Sequence, residues 1–345
     1  MRKLASIQKI KNIEPIENAD AIEKATILGW NVVVKKGEFK PGDFCVYFEI
    51  DSLLPDEPRY EFLKKTSWNS RYEKIRLKSI RLRGVISQGL ALPFSSFPEI
   101  NWTHYNEGDD LTELFGIEKY EPIIPASLGG DVNKFTWPIS KTDEERVQSN
   151  PEGYIEAIKN KPYYITVKLD GTSASFILVK NDNDEIEFHV CSRNYSIKYK
   201  EDNTLWNIAK KYDIENKLRD HFLATGKMYA IQGEVCGPGI QKNRLNLSEH
   251  ELFVFNVIDV ETGEKIHFKE MYEFPGLQFV PCELHGESFP YDTLDELLNL
   301  AKGKYKQHFN SAVAKQDREG IVIRTKDQSI SFKVINNDFL LKGGD

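Results

Sequence analysis

The part of this sequence whose residue types could do covalent chemistry is Lys168-Leu169-Asp170-Gly171. It follows the apolar run 163–167, which predicts a strand that ends by presenting an amine. A glycine at the fourth position permits a tight bend, so the lysine could stand at the floor of a pocket. Taken alone, the pattern is also compatible with an ordinary surface turn.

Charged residues at the ends of further predicted strands follow downstream in a fixed order. They are Ser192-Arg193-Asn194, Gly233-Glu234, the apolar strand 254–259 that contains Phe255, Glu319-Gly320, and Lys333. The order and spacing of these segments, more than any one of them, favour a functional site over a surface turn.

In this order the segments resemble the motifs of the covalent nucleotidyltransferases, the superfamily of DNA ligases, RNA ligases and capping guanylyltransferases. The resemblance covers essentially residues 160–340. A finer resemblance is to the fifth RNA ligase family, and it rests on residues 29–39, 47–52, 83–90 and 141–148. DNA ligases and capping enzymes carry an OB domain after the last lysine motif, but only 12 residues follow Lys333. In the family that this chain resembles, the OB module comes first.

The resemblance implies an ATP-dependent RNA ligase that joins a 3′-hydroxyl to a 5′-phosphate, at nicks in duplexes, through a lysyl-AMP intermediate and an adenylated 5′ end. It implies that Lys168 is the nucleophile and that Lys333 binds the α-phosphate. Because an amine attacks only when deprotonated, Lys333 would also lower the pKa of Lys168. The residues implied to hold the waters of Mg²⁺ or Mn²⁺ are Asp170, Glu234 and Glu319. Those implied to bind ATP are Val167, Lys168, Arg193, Glu234, Phe255 and Lys333.

Some of these assignments leave alternatives open. Glu234 could contact the ribose instead of a metal, and Phe255, the candidate to stack on adenine, also fits a core aromatic. The last motif of the superfamily has two lysines spaced K-x-K, whereas Ile335 stands where the second would fall. The candidates to replace that phosphate ligand are Arg324, Lys326 and Lys342.

The composition is that of a folded protein with room for about two domains. The 345 residues are 40% hydrophobic and 29% charged, and no apolar run approaches the ~18 residues needed to span a bilayer. We read no secretory signal at the amino end. The chain has four cysteines, Cys45, Cys191, Cys236 and Cys282, and they form no C-x-x-C pair. This pattern predicts buried thiols in a reducing, intracellular compartment. We expect a monomer with no membrane partner.

The formal net charge of -7 argues against a nucleic-acid partner only until the charges are located. Residues 1–120 hold 18 bases and 18 acids, so the whole deficit lies in the second part of the chain. Within the neutral first part, the segment 71–83 carries six bases and one acid.

In that basic segment the apolar Ile75 and Leu77 alternate with bases. This period of two predicts a strand with one face in a core and one basic face in water. The basic residues are candidates to contact a nucleic-acid backbone or pyrophosphate: Arg76, Lys78, Arg81 and Arg83. The alternative is a solvated edge strand that its charges protect from aggregation.

The element pattern predicts an α+β protein. Residues 1–115 read as an OB-like β-barrel with strands 30–34 and 44–50, residues 116–160 as a connection rich in proline and glycine, and residues 161–345 as an antiparallel-sheet nucleotidyltransferase domain. In the second domain we predict strands 163–167, 174–179 and 185–190 and helices 204–222 and 293–303, the latter opened by a capping box at Thr293.

The implied partner is RNA or an RNA-containing nicked duplex, and the implied cofactors are ATP, as substrate, with Mg²⁺ or Mn²⁺. A DNA ligase is the alternative enzyme. A non-catalytic nucleic-acid-binding protein is a further alternative, motivated by the missing second lysine.

Overall fold

The computed structural model of the protein describes residues 2–121, 132–134, 139–274, 276–305 and 316–342. The chain forms two compact units. The first comprises Met1–Pro122, Val147–Gly153 and Leu340–Asp345, and the second comprises Ile123–Arg146 and Tyr154–Phe339. Residues 122–131 and 135–138 of the predicted connection lie outside the described residues, so the boundaries 1–115, 116–160 and 161–345 stay a prediction.

The first unit consists mainly of antiparallel strands. They are β1 (Ala5–Pro15), β2 (Ile22–Ile27), β3 (Trp30–Lys35), β4 (Phe44–Phe48), β5 (Ser52–Leu54), β6 (Trp68–Asn69), β7 (Lys74–Arg76), β8 (Ser79–Leu82), β9 (Val85–Gln88), β10 (Leu90–Leu92) and β11 (Glu118–Lys119), with one short helix, α1 (Glu61–Ser67). The strand orders are β10-β4-β1-β2-β3 and β11-β5-β7-β6, and β8 and β9 form a separate hairpin. The core is mostly aliphatic, with an aromatic group in which Phe48 contacts Tyr60, Phe97 and Phe115.

The prediction of one basic strand over 71–83 is wrong. The chain makes β7 in one sheet and β8 in another, because Leu77 still exchanges backbone hydrogen bonds with Asp51 and Ser52 before the chain turns to pair with β9. Ile75 is in the core as predicted, but Arg76 is not on a basic outer face. Its side chain is buried, and its guanidinium lies 3.4 Å from the ring centroid of Tyr120. An aromatic face can hold a cation in this way, so Arg76 is withdrawn from solvent.

The second unit contains two antiparallel sheets. Its strands are β12 (Val132–Lys134), β13 (Tyr163–Lys168), β14 (Thr172–Lys180), β15 (Ile186–Ser192), β16 (Tyr195–Ile197), β17 (Tyr229–Cys236), β18 (Glu251–Asp259), β19 (Cys282–Gly286), β20 (Gly320–Thr325) and β21 (Ser331–Ile335). The remaining α-helices among the described residues are α2 (Pro151–Ile158), α3 (Thr204–Lys211), α4 (Ile214–Thr225), α5 (Leu294–Ala301) and α6 (Asn337–Leu341). The strand orders are β12-β16-β15-β14-β17-β18 and β19-β13-β20-β21.

One face of the six-stranded sheet carries the larger apolar core. Phe176 and Val254 of that face form one buried cluster with Leu205 of α3 and Leu218 of α4. Side chains alternate across a strand, so the opposite face of β17 presents Gln232 and Glu234. Packing helices against one face therefore leaves the other face available for polar chemistry.

The predicted α+β class, with antiparallel sheets in the second unit, is confirmed. The strands predicted over 163–167, 174–179 and 185–190 correspond to β13, β14 and β15, and Thr293 caps α5 with the predicted capping box. The single helix predicted over 204–222 is instead the pair α3 and α4. Asp213 adopts a left-handed conformation, with φ of 51°, and interrupts the helix there.

The predicted buried thiols are confirmed for three of the four cysteines. The thiols of Cys45, Cys191 and Cys236 are buried and that of Cys282 is half-buried. Burial raises the pKa of Cys45 to about 12, as expected for an inert thiol. In the part of the chain that the structure describes, no helix has the length and apolar character needed to cross a membrane.

Candidate active site

The four-stranded sheet brings the two predicted lysines to one face. Lys168 is the last residue of β13 and pairs with Gly320 of β20, which in turn lies opposite Ile335 of β21. Paired residues share a face, and so do residues two apart along a strand. Lys333, two residues before Ile335, therefore faces the same side of the sheet as Lys168.

Glu319 forms an ion pair with the predicted nucleophile. The distance from Lys168 Nζ to Glu319 Oε1 is 2.7 Å, and the two side chains are 25% and 17% exposed. The preceding residue, Arg318, is buried, where its guanidinium pairs with Glu283 and donates to the carbonyl of Ala301 at the end of α5. These contacts fix the chain immediately before Glu319.

Asp170 and Gly171 are held by residues beyond the tetrapeptide. Asp170 Oδ2 accepts a hydrogen bond of 2.6 Å from Arg244 Nε, and the Gly171 N–H donates to Glu234 Oε1 at 3.1 Å. A Cβ at Gly171 would lie 2.5 Å from the carbonyl oxygen of Val235. Glycine is needed here for this close approach rather than for a left-handed turn, because its φ is not positive.

The acidic residues shift one another's pKa values. Burial raises the pKa of Glu234 to about 7, and burial together with Glu319 raises the pKa of Asp170 to about 6. Burial disfavours the ammonium form of Lys168, but Glu319 and Glu234 outweigh it and raise the pKa of that amine. The expectation that Lys168 has a lowered pKa is therefore wrong for the protein's own charges, which favour the ammonium form.

The three carboxylates fit a hydrated divalent cation. Burial raises the pKa values of Asp170 and Glu234, repulsion from the neighbouring carboxylates adds to this increase, and a cation beside them would relieve that repulsion. Among the described residues, no three carboxylate, imidazole or thiol groups are close enough to coordinate one ion directly. Mg²⁺ usually keeps several of its waters when bound, so Asp170, Glu234 and Glu319 could hold such an ion through that water.

Lys333 and Arg193 meet at a shared carboxylate. Oδ1 of Asp143 is 3.0 Å from Lys333 Nζ and 2.6 Å from Arg193 Nη2. Burial lowers the pKa of Lys333 to about 8; Asp143 acts against this change, while Arg146 and Lys168 add to it. The two predicted phosphate ligands, which are 140 positions apart in the sequence, are thus brought together on the structure.

The remaining candidate ATP residues lie beside one apolar cluster. Val167 is buried in it, next to Leu169 and Phe253, and the half-buried Phe255 packs against it. A half-buried aromatic ring could still present part of a face to a base. Their roles toward adenine stay a prediction.

The residues considered as replacements for the missing second lysine differ in burial and in their ion-pair partners. Ile335 is buried. Arg324 does not fit the role of the second phosphate ligand. It lies on β20, four residues from Gly320, where it is buried and paired with Glu144. Lys326 pairs with the exposed Glu287. Lys342 belongs to the first unit, so its candidacy stays a prediction.

Three charged residues at the site had no role in the sequence prediction. Asp143 contacts Lys333 and Arg193, Arg146 forms a backbone bridge with Lys333, and Arg244 contacts Asp170. Asp143 and Arg146 lie in the stretch 141–148, whose resemblance to the fifth RNA ligase family was a signal that could have identified them. Arg244 lies in the mostly polar stretch 241–246, where only a tertiary contact could show its role.

We call the hairpin of β8 and β9, together with the preceding Lys78, the basic hairpin. It contains the predicted nucleic-acid contacts other than Arg76. Lys78, Arg81 and Arg83 are its exposed cations, and none of them forms an ion pair with a residue that the structure describes. Ile80 and Leu82 between them are 46% and 38% exposed. The base of the hairpin is held by other strands of the unit, since Ser87 Oγ accepts from the N–H of Val33 and the Tyr47 hydroxyl donates to the carbonyl of Gln88.

Comparisons with known proteins match both parts of the chain. A family model described as an OB-fold domain matches residues 4–94, and one described as RNA ligase matches residues 161–338. A sequence comparison with curated proteins gives no significant match.

Among solved structures, the chain is similar to Naegleria gruberi RNA ligase with PPi, at 36% identity and a TM-score of 0.87, over 99% of this chain and 98% of that one. It is equally similar to a mutant of that enzyme with ATP and Mn, at 36% identity and a TM-score of 0.87, over the full length of both chains. A mutant with AMP and Mn matches at 35% identity and a TM-score of 0.86, over 98% of each chain.

Proposed function

The chain belongs to the RNA ligase family, and from this premise we propose that it seals 3′-hydroxyl and 5′-phosphate ends of RNA with ATP, at nicks in duplexes, through a covalent adenylate on Lys168. The observation that supports this proposal is the ion pair of Lys168 with Glu319 on the sheet face that also carries Lys333. An amine, a set of carboxylates and a phosphate-binding cation are then close together.

The first step would join Lys168 to AMP. Nζ attacks the α-phosphorus of ATP, a nitrogen–phosphorus bond forms, and the bond to the β-phosphate oxygen breaks and releases pyrophosphate. Lys333 and Arg193 would neutralise charge on the phosphates, since positioning and charge neutralisation dominate phosphoryl transfer. Lys168 must lose its proton before it attacks.

The carboxylates Asp170, Glu234 and Glu319 would hold the waters of Mg²⁺ or Mn²⁺, with Glu234 on the ribose as the alternative. When bound, such a cation supplies positive charge that offsets these carboxylates and lowers the pKa of Lys168. Val167 and Phe255 would flank the adenine.

Two further displacements would complete the reaction. An oxygen of the RNA 5′-phosphate attacks the phosphorus of the lysyl adenylate, which releases Lys168 and leaves AMP on the RNA end. The RNA 3′-hydroxyl then attacks the 5′-phosphate phosphorus and releases AMP. No step needs an oxidant or a second nucleotide.

Nicked duplexes that differ only in the sugar on the 3′-hydroxyl side test the substrate. We expect nicks with RNA on that side to be sealed at least about 10-fold faster than nicks with DNA there. This rate difference corresponds to the free energy of one hydrogen bond to a 2′-hydroxyl. Gel analysis of the ligated strand measures the rate. Equal or faster sealing of all-DNA nicks would make the protein a DNA ligase, and RNA binding without any labelling by radioactive ATP would make it a non-catalytic relative.

The basic hairpin is proposed to contact the phosphate backbone of the duplex. We expect the double variant Arg81→Ala/Arg83→Ala to have about a 10-fold higher KM for nicked RNA, with a salt dependence of binding that falls by about one unit of log slope for each lost phosphate contact. Self-adenylation with ATP should be unchanged.

The matched control is Lys36→Ala/Lys40→Ala, which removes two exposed cations from the same unit. It should seal nicks like the wild type. A slower self-adenylation of the hairpin variant, with unaltered RNA binding, would instead assign the hairpin to pyrophosphate.

A further inference from the structure

We propose that Asp143 is a positioning residue that holds Lys333 and Arg193 together as one phosphate-binding pair. This inference rests on the proposed function, because it assigns both cations to the phosphates of ATP. A single oxygen of Asp143 contacts both cations, at 3.0 Å and 2.6 Å, and the Asp143 side chain is 33% exposed.

The contact leaves both cations able to bind a phosphate. A lysine ammonium has three N–H donors and an arginine guanidinium has five, and Asp143 engages Nζ of Lys333 and Nη2 of Arg193. Donor capacity on each therefore remains for phosphate oxygens. An internal carboxylate that only imitated a phosphate would have to leave when the nucleotide entered.

Asp143 is not free to leave, because the segment 139–146 is anchored on both sides of it. The carbonyl of Ser140 accepts from Gln232 Nε2 at 2.8 Å. On the other side, Glu144 pairs with the buried Arg324, and the carbonyl of Glu145 accepts from the backbone N–H of Lys333 at 2.8 Å. These anchors favour a fixed role for Asp143.

Charge gives Asp143 a second effect on the pair. The groups that act on Lys333 are Asp143 and Arg146 from the segment 139–146 and Lys168 from β13, and burial leaves the pKa of Lys333 at about 8. Asp143 opposes that decrease. Without the charge of Asp143, the pKa of Lys333 would fall further. A larger fraction of Lys333 would then be neutral as pH rises, and a neutral amine does not neutralise a phosphate.

The variant that tests this is Asp143→Asn, which keeps the size of the side chain and removes its charge. Binding is measured by calorimetry, at pH 6 and pH 8 with Mg²⁺ present, using an ATP analogue with a methylene group between the α and β phosphorus atoms. This analogue cannot be cleaved at that position, so the assay reports binding alone.

We expect about 10-fold weaker binding than the wild type at pH 8, as for loss of a charged hydrogen bond, and a clearly smaller difference at pH 6, where Lys333 regains its proton. Asp143→Glu, which keeps the charge, should bind closer to wild type than Asp143→Asn. The matched control is Glu261→Gln, which removes an exposed charge from the same unit and should bind the analogue like the wild type.

Equal binding by Asp143→Asn and wild type at both pH values would overturn the inference, as would a loss that is the same at pH 6 and pH 8. Tighter binding by the variant would show that Asp143 competes with the nucleotide, which also overturns it. If the wild type itself does not bind the analogue, the proposed function fails rather than this inference.

Discussion

Replacing Lys168 by alanine should abolish covalent labelling of the protein by ATP radioactive at the α-phosphate, a loss of more than about 10⁴-fold. The physical reason is that no bond to AMP can form at this position without Nζ. Lys333 cannot substitute, because it lies on β21, beyond the intervening β20, and pairs with Asp143. Labelled protein on a denaturing gel, with Mn²⁺ present, measures the effect.

Two controls separate loss of the nucleophile from loss of the fold. Lys227→Ala removes an exposed lysine of the same unit and should label like the wild type. RNA that already carries AMP on its 5′ end needs no lysyl adenylate, so Lys168→Ala should still join it. Persistent labelling of Lys168→Ala would show that another residue is the nucleophile.

Glu319→Gln should slow self-adenylation by about 10- to 100-fold, the range found when a group that holds a metal's ligand is changed. The substitution keeps the size of the side chain but removes the charge that contacts Lys168 at 2.7 Å and that would hold a cation's water. A titration of the labelling rate with Mn²⁺ should show that the variant needs a higher concentration of the ion.

The matched control for this prediction is Glu287→Gln, because Glu287 is an exposed carboxylate of the same unit that pairs with Lys326. Its labelling rate should not change. Mn²⁺ binding to the protein without nucleotide, followed by the electron paramagnetic resonance of the free ion, gives a readout independent of turnover. Unchanged Mn²⁺ affinity in Glu319→Gln would contradict the assignment of this carboxylate to the metal.

Local patterns predicted the strand positions well, and Lys168, Arg193 and Glu319 lie at or directly beside strand ends. An apolar run followed by Lys168 indicated β13, because a strand that is buried on both faces reads as a continuous apolar run of neighbouring residues. The capping box at Thr293 was recognised for the same reason, since both of its hydrogen bonds span three residues.

Contacts between distant parts of the chain were not predictable in this way. Asp143 and Lys333 are 190 positions apart, and Arg244 reaches Asp170 across 74. Sheet register and loop path decide such contacts, and no short pattern encodes either. Arg76 shows the same limit, because alternation predicted its strand face but not that Tyr120 would cover it.

The break between α3 and α4 has a related cause. Apolar spacing continues through residues 204–222, so the pattern alone favours one helix. Asp213 nevertheless adopts the left-handed conformation that a short polar side chain tolerates better than most residues do. Packing of two shorter helices against the sheet outweighs the local preference for continuity.

The buried pair of Glu144 and Arg324 makes the docking of the segment 139–146 resistant to acid. Burial by itself would raise the pKa of Glu144, but Arg324 and Lys265 outweigh it and lower that pKa to about 2. A carboxyl whose pKa is lower in the folded than in the unfolded chain contributes stability above its unfolded value, and that contribution disappears only as pH falls through the folded value. Glu144 therefore stays ionised, and paired with Arg324, at mildly acidic pH. We expect the neighbouring pair of Lys333 and Arg193 to keep its geometry over the same pH range.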